Sequence, residues 1–480
     1  MTDTNLDLKH PLFIEQEADY RLWRDLYLGG RHVEGRSCYL PKHMLETKAQ
    51  YEFRLRRAAY RNYAKPIIGV WVTHVWRKAP TREGLPAELE AITADVDRNG
   101  ESADRFFREV TRRACYQGVH FVLVDSPSFG EEIQTKADAD AQGIRPYFVS
   151  IDPLDLIDWA IGEDGALEYV VIRESVEESA VPFQGHTITD QWRVWMRDRW
   201  EVWRKGDKGE AFKYSEGVNQ IGVMPVVPFY FSKKQTMVGD SLIADFASLC
   251  MRIYLKENEK DICEFYTAIP FIFFKGFSED DLKEFVLSSS NGVRSDNAEA
   301  DIKFIEASGQ ALDSQRQSIE ETHQAIQEIA LRQIRPLSKQ AEAALSKKID
   351  KVQLDTQLAA LAQDWSESER RCWEIAGKYR AVDADGIAIA YNTDFTVEEV
   401  EAGLLTAMKD LRGERMISAE TLLAMLQKWE LLPEDFDIEE ERAKLENESR
   451  QGGSIADLAQ RVFSRKEQEG GQAPSGARQP

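Results

Sequence analysis

The spacing of apolar and polar residues changes character near residue 240, and that change divides the chain. Before it, residues 13–30 read as a helix with Trp23 and Tyr27 on one face, and "GGRHVEGRSCYLPKH" (29–43) reads as a loop. Residues 46–80 carry a long helical pattern with Tyr51, Leu55, Ala58, Ala59, Asn62 and Tyr63 near one face. Pro66 lies inside it and should start a new helix or kink this one. Ser102 is placed to cap a helix over about 103–117, and the unbroken apolar run in "HFVLVDSP" predicts a buried strand. "RPYFVSIDPLDLIDWAI" (145–161) reads as a strand, a turn at Asp152 and Pro153, and a return to the core. Over 166–205 aromatic or β-branched residues alternate with charged ones, which predicts a sheet with one wet face. Trp192, Trp195, Trp200 and Trp203 fall at strand spacing, where aromatics form core more often than a stacking platform. The two prolines of "GVMPVVPFYF" (222–231) predict an edge strand or extended arm.

Beyond residue 240 the apolar stripes become narrow. A helix over 240–267 has a seam of Leu242, Phe246, Leu249 and Ile253 that thins across "KENEKD" before Ile262, Phe265 and Tyr266. "PFIFFKGF" follows, flanked by charged residues that offer it no burial partner, and "DIKFIEA" (301–307) reads as a returning strand of a small α/β knob. A second helix, 310–330, places Leu312, Ile319 and Ile326 seven residues apart with polar residues between. One apolar residue per heptad is too narrow a stripe for a monomer's core, and such helices call for many identical neighbours. Residues 331–349 interrupt the pattern at Pro336 and carry Arg332, Arg335, Lys339, Lys347 and Lys348 against Glu342 alone. This stretch is either an ordinary solvated segment or a contact with something anionic. A long helix then covers about 341–380, "IAIAYNTDF" (387–395) reads as a strand, and 396–448 reads as a compact set of helices, one of them capped at Ser418 to Glu420. From Gln451 the composition shifts to Gly, Ser, Gln and Pro, as in a disordered tail. No internal repeat is visible.

With 480 residues, 42% of them hydrophobic and 30% charged, the chain is long enough for several globular domains. No apolar stretch approaches the roughly 20 residues that span a bilayer, so no membrane segment is expected. MTDTNLDLKH lacks the features of a signal peptide, which predicts a protein that stays in the cytoplasm where it is made. The net charge of −22 speaks against a protein that grips nucleic acid by neutralising phosphates. It is compatible with a wall that DNA slides past.

Strong catalytic motifs are absent: there is no phosphate-binding G-x-x-x-x-G-K-[ST], G-x-G-x-x-G, H-E-x-x-H or G-x-S-x-G. Asp95, Asp97, Asn99 and Gly100 match the opening of a calcium loop, but its twelfth position is Phe106 rather than a bidentate acid, and a turn is the simpler reading. Cys38, Cys115, Cys250, Cys263 and Cys372 are scattered and lack C-x-x-C pairs, so neither a disulfide framework nor a zinc site is expected. No catalytic residue, metal or cofactor is assigned. A two-metal nuclease built from some of the many carboxylates remains an alternative.

The order and spacing of "RLRRAAYRNYAKPIIGVWVTHVWRKAP", "ACYQGVHFVLVDSP", "RPYFVSIDPLDLIDWAI", "VMPVVPFYF", "SLIADFASLCMRIYLKENEKDICEFYTAIPFIFFKGF" and "MISAETLLAMLQKWELLPEDFDIEEERAKLENE" resemble the portal proteins of tailed bacteriophages, over roughly 10–448. The resemblance implies an α+β, mainly helical, ring-forming fold. Its wing would be 1–238, with a β-rich part at 166–231, and its stem helices 239–267 and 310–330 would enclose a clip at 268–309. A tunnel loop at 331–341, a long wing helix at 342–381, a crown-like region at 382–450 and a tail at 451–480 would follow. It further implies a homo-oligomer, typically a dodecamer, in the virion at the portal vertex of the capsid. Expected partners are the terminase large subunit, a head–tail adaptor, the major capsid or scaffold protein, and double-stranded DNA passing through the channel. On this reading Arg332, Gln333, Arg335, Lys339 and Gln340 face DNA, and Leu312, Ile319 and Ile326 form the stem seam between subunits. Phe271, Phe273, Phe274 and Phe277 would contact a neighbour or the adaptor in the clip. Another virion scaffold or connector protein is the alternative within the same setting.

Overall fold

A computed structural model describes residues 4–127, 144–181, 185–267, 271–277, 297, 299–305, 310–331, 344–393, 418, 421–423 and 443–444. Two compact units separate after Phe395.

The first unit opens with α1 (Pro11–Leu28), where the His10 ring accepts from the Leu12 amide and Pro11 takes the first turn. The helical pattern of 46–80 resolves into α2 (Lys48–Arg57) and α3 (Ala64–Val75). Side chains from elsewhere hold the chain extended between them: Asn258 accepts from the Ala59 amide at 3.2 Å and Glu34 from the Tyr60 amide at 2.9 Å. Pro66 sits in the first turn of α3, where its missing N–H costs nothing. Next come β1 (Thr81–Glu83), α4 (Ala87–Glu90) and α5 (Ala103–Gln117). Ser102 caps α5 as its sequence predicts.

Two antiparallel sheets follow. In the first, β2 (Val119–Asp125) lies between β3 (Tyr147–Ile151) and β9 (Val226–Tyr230). Every position of β2 is buried, and α5 packs against it. Pro228 sits on the edge strand, where no ladder donor is needed on its outer side. The second sheet is a meander of β4 (Leu156–Ile161), β5 (Leu167–Val181), β6 (Gly185–Met196), β7 (Arg199–Lys205) and β8 (Ala211–Val218). Trp192 pairs with Trp203 and Trp195 with Trp200 across β6 and β7. Trp192 and Trp195 are buried in the main core, with the other two packed against it. The aromatic alternation is therefore core.

A short pair, β10 (Ser232–Gln235) and β11 (Val238–Asp240), leads into α6 (Ala244–Thr267). A second short pair, β12 (Phe271–Lys275) and β13 (Asp301–Ile305), separates α6 from α7 (Gln310–Leu331). The long α8 (Ala344–Arg380) packs on β9 and β2, and β14 (Ala388–Ala390) pairs with β1. That pairing puts Ala388–Ala390 in the first unit. In the second unit, Thr396–Pro480, the Ser418 hydroxyl accepts from the Thr421 amide at 3.0 Å, the capping chemistry read from the sequence.

The acidic loop before α5 is a turn. Asp95 accepts from the Gly100 amide at 2.8 Å and pairs with Arg145 at 2.5 Å, and Asp97 accepts from the amides of Asn99 and Glu101. These bonds occupy the carboxylates that a calcium ion would need. Among the described residues no group of His, Cys, Asp or Glu is arranged to hold a metal ion, and no helix is long and apolar enough to cross a membrane. None of the five cysteines forms a disulfide, and Cys115, Cys250 and Cys372 are buried.

Gly118 ends α5 at φ 85° and lies against Gly239. A Cβ on Gly118 would stand 2.4 Å from the Gly239 carbonyl oxygen, and one on Gly239 would stand 2.3 Å from that of Gly118. Two backbones meet there without side chains.

Glu369 of α8 is fully buried and accepts three bonds: from Arg82 Nε at 2.6 Å, Trp373 Nε1 at 3.1 Å and the Tyr391 hydroxyl at 2.6 Å. Arg82 also reaches Asp104 of α5 at 2.5 Å. Arg82→Met leaves the Glu369 carboxylate buried without its charge partner, and the expected loss is about 3–5 kcal/mol in denaturant unfolding. At the turn between β3 and β4, burial first and the neighbouring Asp152 carboxylate second raise the Asp155 carboxyl to about 6 from 3.8. Ionising it costs more in the folded than in the unfolded chain, so its contribution to stability is lost as pH rises from about 4 to about 6. Asp155→Asn is therefore expected to gain stability relative to the wild type across that window, with no further divergence above it, in unfolding midpoints measured at constant ionic strength.

Candidate functional site

Polar contacts anchor the root of α6. The Ser241 hydroxyl donates to the carbonyls of Tyr116 (2.8 Å) and Cys115 (3.1 Å) at the end of α5, and accepts from the Ile243 amide at 2.9 Å. The first half of α6 is apolar on its inner side, with Phe246, Cys250, Ile253 and Tyr254 buried. Beyond Tyr254 the apolar supply thins and polar contacts take over. Asn258 donates to the Tyr254 carbonyl, Arg61 pairs with Glu257 at 3.4 Å, and Phe265 packs on Phe53.

The chain then turns back through β12 and β13. Their register runs from Phe271 opposite Ile305 to Lys275 opposite Asp301. Asn297 donates to the Gly276 carbonyl at 3.0 Å just past the end of β12. Returning along α6, α7 makes Arg316 to Glu264 (3.0 Å) and Lys256 to the Ser318 hydroxyl (2.5 Å), with His323 against the Tyr63 ring. The result is a helix, a two-stranded tip and a helix, joined by side chains that sequence periodicity did not single out. Burial foremost, together with Arg252, lowers the Lys256 ammonium from its usual range. The amide oxygen of Gln315 is buried without a hydrogen-bond partner in a cleft lined by Lys256, Glu259, Ser314 and Ser318.

Ile326 is only 1% exposed and belongs to the main core, whereas Leu312 and Ile319 are half-buried. The narrow stripe is therefore covered by its own chain at the Ile326 end and only partly at the other. Within one chain, α6 packs along α7 and supplies part of this cover. At the tip Phe273 is 46% exposed, and Phe274 and Phe277 are half-buried and meet edge to face with centroids 5.6 Å apart. Phe271 is placed by its pairing with Ile305, and its side chain lies outside the described set. Arg332, Gln333, Arg335, Lys339 and Gln340 lie outside the described residues.

Residues 243–380 match a family described as "Domain of unknown function (DUF4055)", a span that contains α6, the tip, α7 and α8. No curated protein matches the chain. Among solved structures, the chain is similar to a component of the neck of a native GTA particle computed with C12 symmetry, at 8% identity and a TM-score of 0.36, covering 76% of this chain and 89% of that one.

In the dilute, unassembled chain, Ile326→Ala is expected to cost about 2–5 kcal/mol because its cavity is fully enclosed. Ile319→Ala is expected to cost markedly less. Equal losses in denaturant titrations would show that α7 is covered evenly within one chain.

Proposed function

We propose that this chain is a portal-type protein of a tailed phage, assembled into a ring at one capsid vertex through which double-stranded DNA is packaged and later ejected. The reading is supported by the sequence resemblance and by a second, independent feature. That feature is the excursion of α6, the β12–β13 tip and α7 from a mixed α/β body, which carries the proposal. Long, largely polar paired helices with a partly covered stripe are poor material for a monomer and good material for repeated packing around an axis. A two-stranded tip is marginally stable alone and gains from neighbours.

On this reading α6 and α7 are the stem and the tip is the clip, with Phe273 and Phe274 toward a neighbouring copy or a head–tail adaptor. The terminase large subunit and the capsid or scaffold protein are the remaining partners. The net charge of −22 suits a conduit, because a wall that repels phosphate lets DNA move, while Arg332, Arg335 and Lys339 supply a few transient contacts alongside Gln333 and Gln340. The work of the molecule is then mechanical and electrostatic guidance, with no chemical step assigned to it.

Native mass spectrometry and negative-stain class averages of the full chain, with and without scaffold protein, are expected to give closed rings of about twelve copies with a central hole. A persistent 54.9 kDa monomer under both conditions would overturn the reading. Replacing Arg332, Arg335 and Lys339 together by Ala is expected to leave rings intact and reduce DNA packaging or retention; unchanged packaging and retention would remove the DNA-contact role.

A further inference from the structure

Turns are normally built from Gly, Pro, Asn, Asp or Ser. The turn His43–Met44–Leu45–Glu46, closed by the Glu46 amide on the His43 carbonyl at 3.1 Å, instead places two apolar residues at its centre. Met44 is 97% exposed and Leu45 94%, the next most exposed large hydrophobic among the described residues being Val218 at 73%. A floppy loop would explain nothing, but this turn is firmly braced. Buried Arg54 grips both Glu46 carboxylate oxygens at 2.9 and 2.8 Å and donates to the Pro41 carbonyl at 2.7 Å. Tyr51 donates to the Leu40 carbonyl, and Thr47 and Gln50 form a reciprocal capping box at the start of α2. Beneath them Val33, Leu40 and Tyr254 form a second small core. The local sequence rule is broken at the tip of a rigid support, and such breaks mark contact sites.

The turn's position indicates what covers it. His43 reaches Glu259 of α6 at 3.9 Å, and Glu259 lines the cleft with Ser314, Gln315 and Ser318 of α7. The apolar tip therefore stands level with the stretch of α7 between Leu312 and Ile319, the half-covered end of the stripe, next to the unpartnered Gln315 oxygen. Rotation about an axis parallel to the paired helices carries each level of one copy onto the same level of the next. The tip and the stripe are thus presented to one another at matching height.

Resting on the ring reading above, we infer that Met44 and Leu45 of one copy pack on the Leu312–Ile319 segment of α7 in the adjacent copy, a head-to-tail contact that repeats around the ring. Methionine suits this role, since its unbranched, polarisable side chain adapts to a helix surface of mixed apolar and polar groups. The basic neighbours Lys42 and Lys48 face a helix whose exposed residues include Asp313, Glu320 and Glu321.

Two measurements on the full chain test this. In the first, Met44→Ser with Leu45→Ser is compared with wild type by native mass spectrometry across a dilution series. The variant is expected to need at least about tenfold more protein for half-assembly while its monomer keeps the wild-type unfolding midpoint. In the second, Leu45→Cys is combined with Gln317→Cys after the exposed Cys38 and Cys263 are replaced by Ser. A short bismaleimide is expected to give a ladder of linked copies, which neither single-cysteine variant gives. This measurement stands even if the serine variant folds poorly. Double-cysteine rings that yield no ladder, with serine-variant rings as stable as wild type, would overturn the contact and leave the ring reading intact. A wild-type chain that forms no ring, with or without scaffold, would overturn both.

Discussion

The buried carboxylate of Glu369 is the constraint on which the arrangement of the first unit depends. An ionised group removed from water must be surrounded by donors, and here Arg82, Trp373 and Tyr391 come from the strand at 81–83, from α8 itself and from the segment after β14. Arg82 in turn holds Asp104 at the start of α5. One charge thus fixes the long helix relative to the helix and strands that carry the main core. Trp365 and Ser368 of α8 also donate to the Tyr230 and Pro228 carbonyls of β9, and such directional bonds accept a single register.

The paired helices follow a different economy. Near their root they share the main core through Phe246, Ile253 and Ile326, and farther out they are held by Lys256, Ser318, Glu264 and Arg316. Exposed ion pairs contribute little each, typically under about 1 kcal/mol. They set which residues lie opposite one another without making the outer half stable in isolation. The body is self-sufficient; the projection leaves part of its surface for association.

Much of the body was legible in the sequence because its elements obey local rules. Ser102 precedes its helix, the run around Phe121 to Val124 is apolar without a break, and the tryptophans of β6 and β7 alternate with charge. Other features depend on distant partners. Glu369 lies in the polar run "SESERR", where nothing distinguishes a buried acid from solvent-facing ones, and its arginine is 287 positions away. The stripe on α7 was correctly seen as narrow, but periodicity does not say which element covers it, and Ile326 proved to belong to its own chain's core. Met44 and Leu45 were passed over because they fall at the seam between a loop and a helix, where hydrophobic pattern has no period.

The meeting of Gly118 with Gly239 has an evolutionary side. Two stretches distant in sequence must both dispense with a side chain at one point, and neither can acquire one first, since the opposing carbonyl occupies the space. Drift at this junction is blocked along every single-step path. A side chain at either position would force the end of α5 away from the strand that leads into α6, so the place where α6 leaves the body is set by backbone contact rather than by side-chain packing.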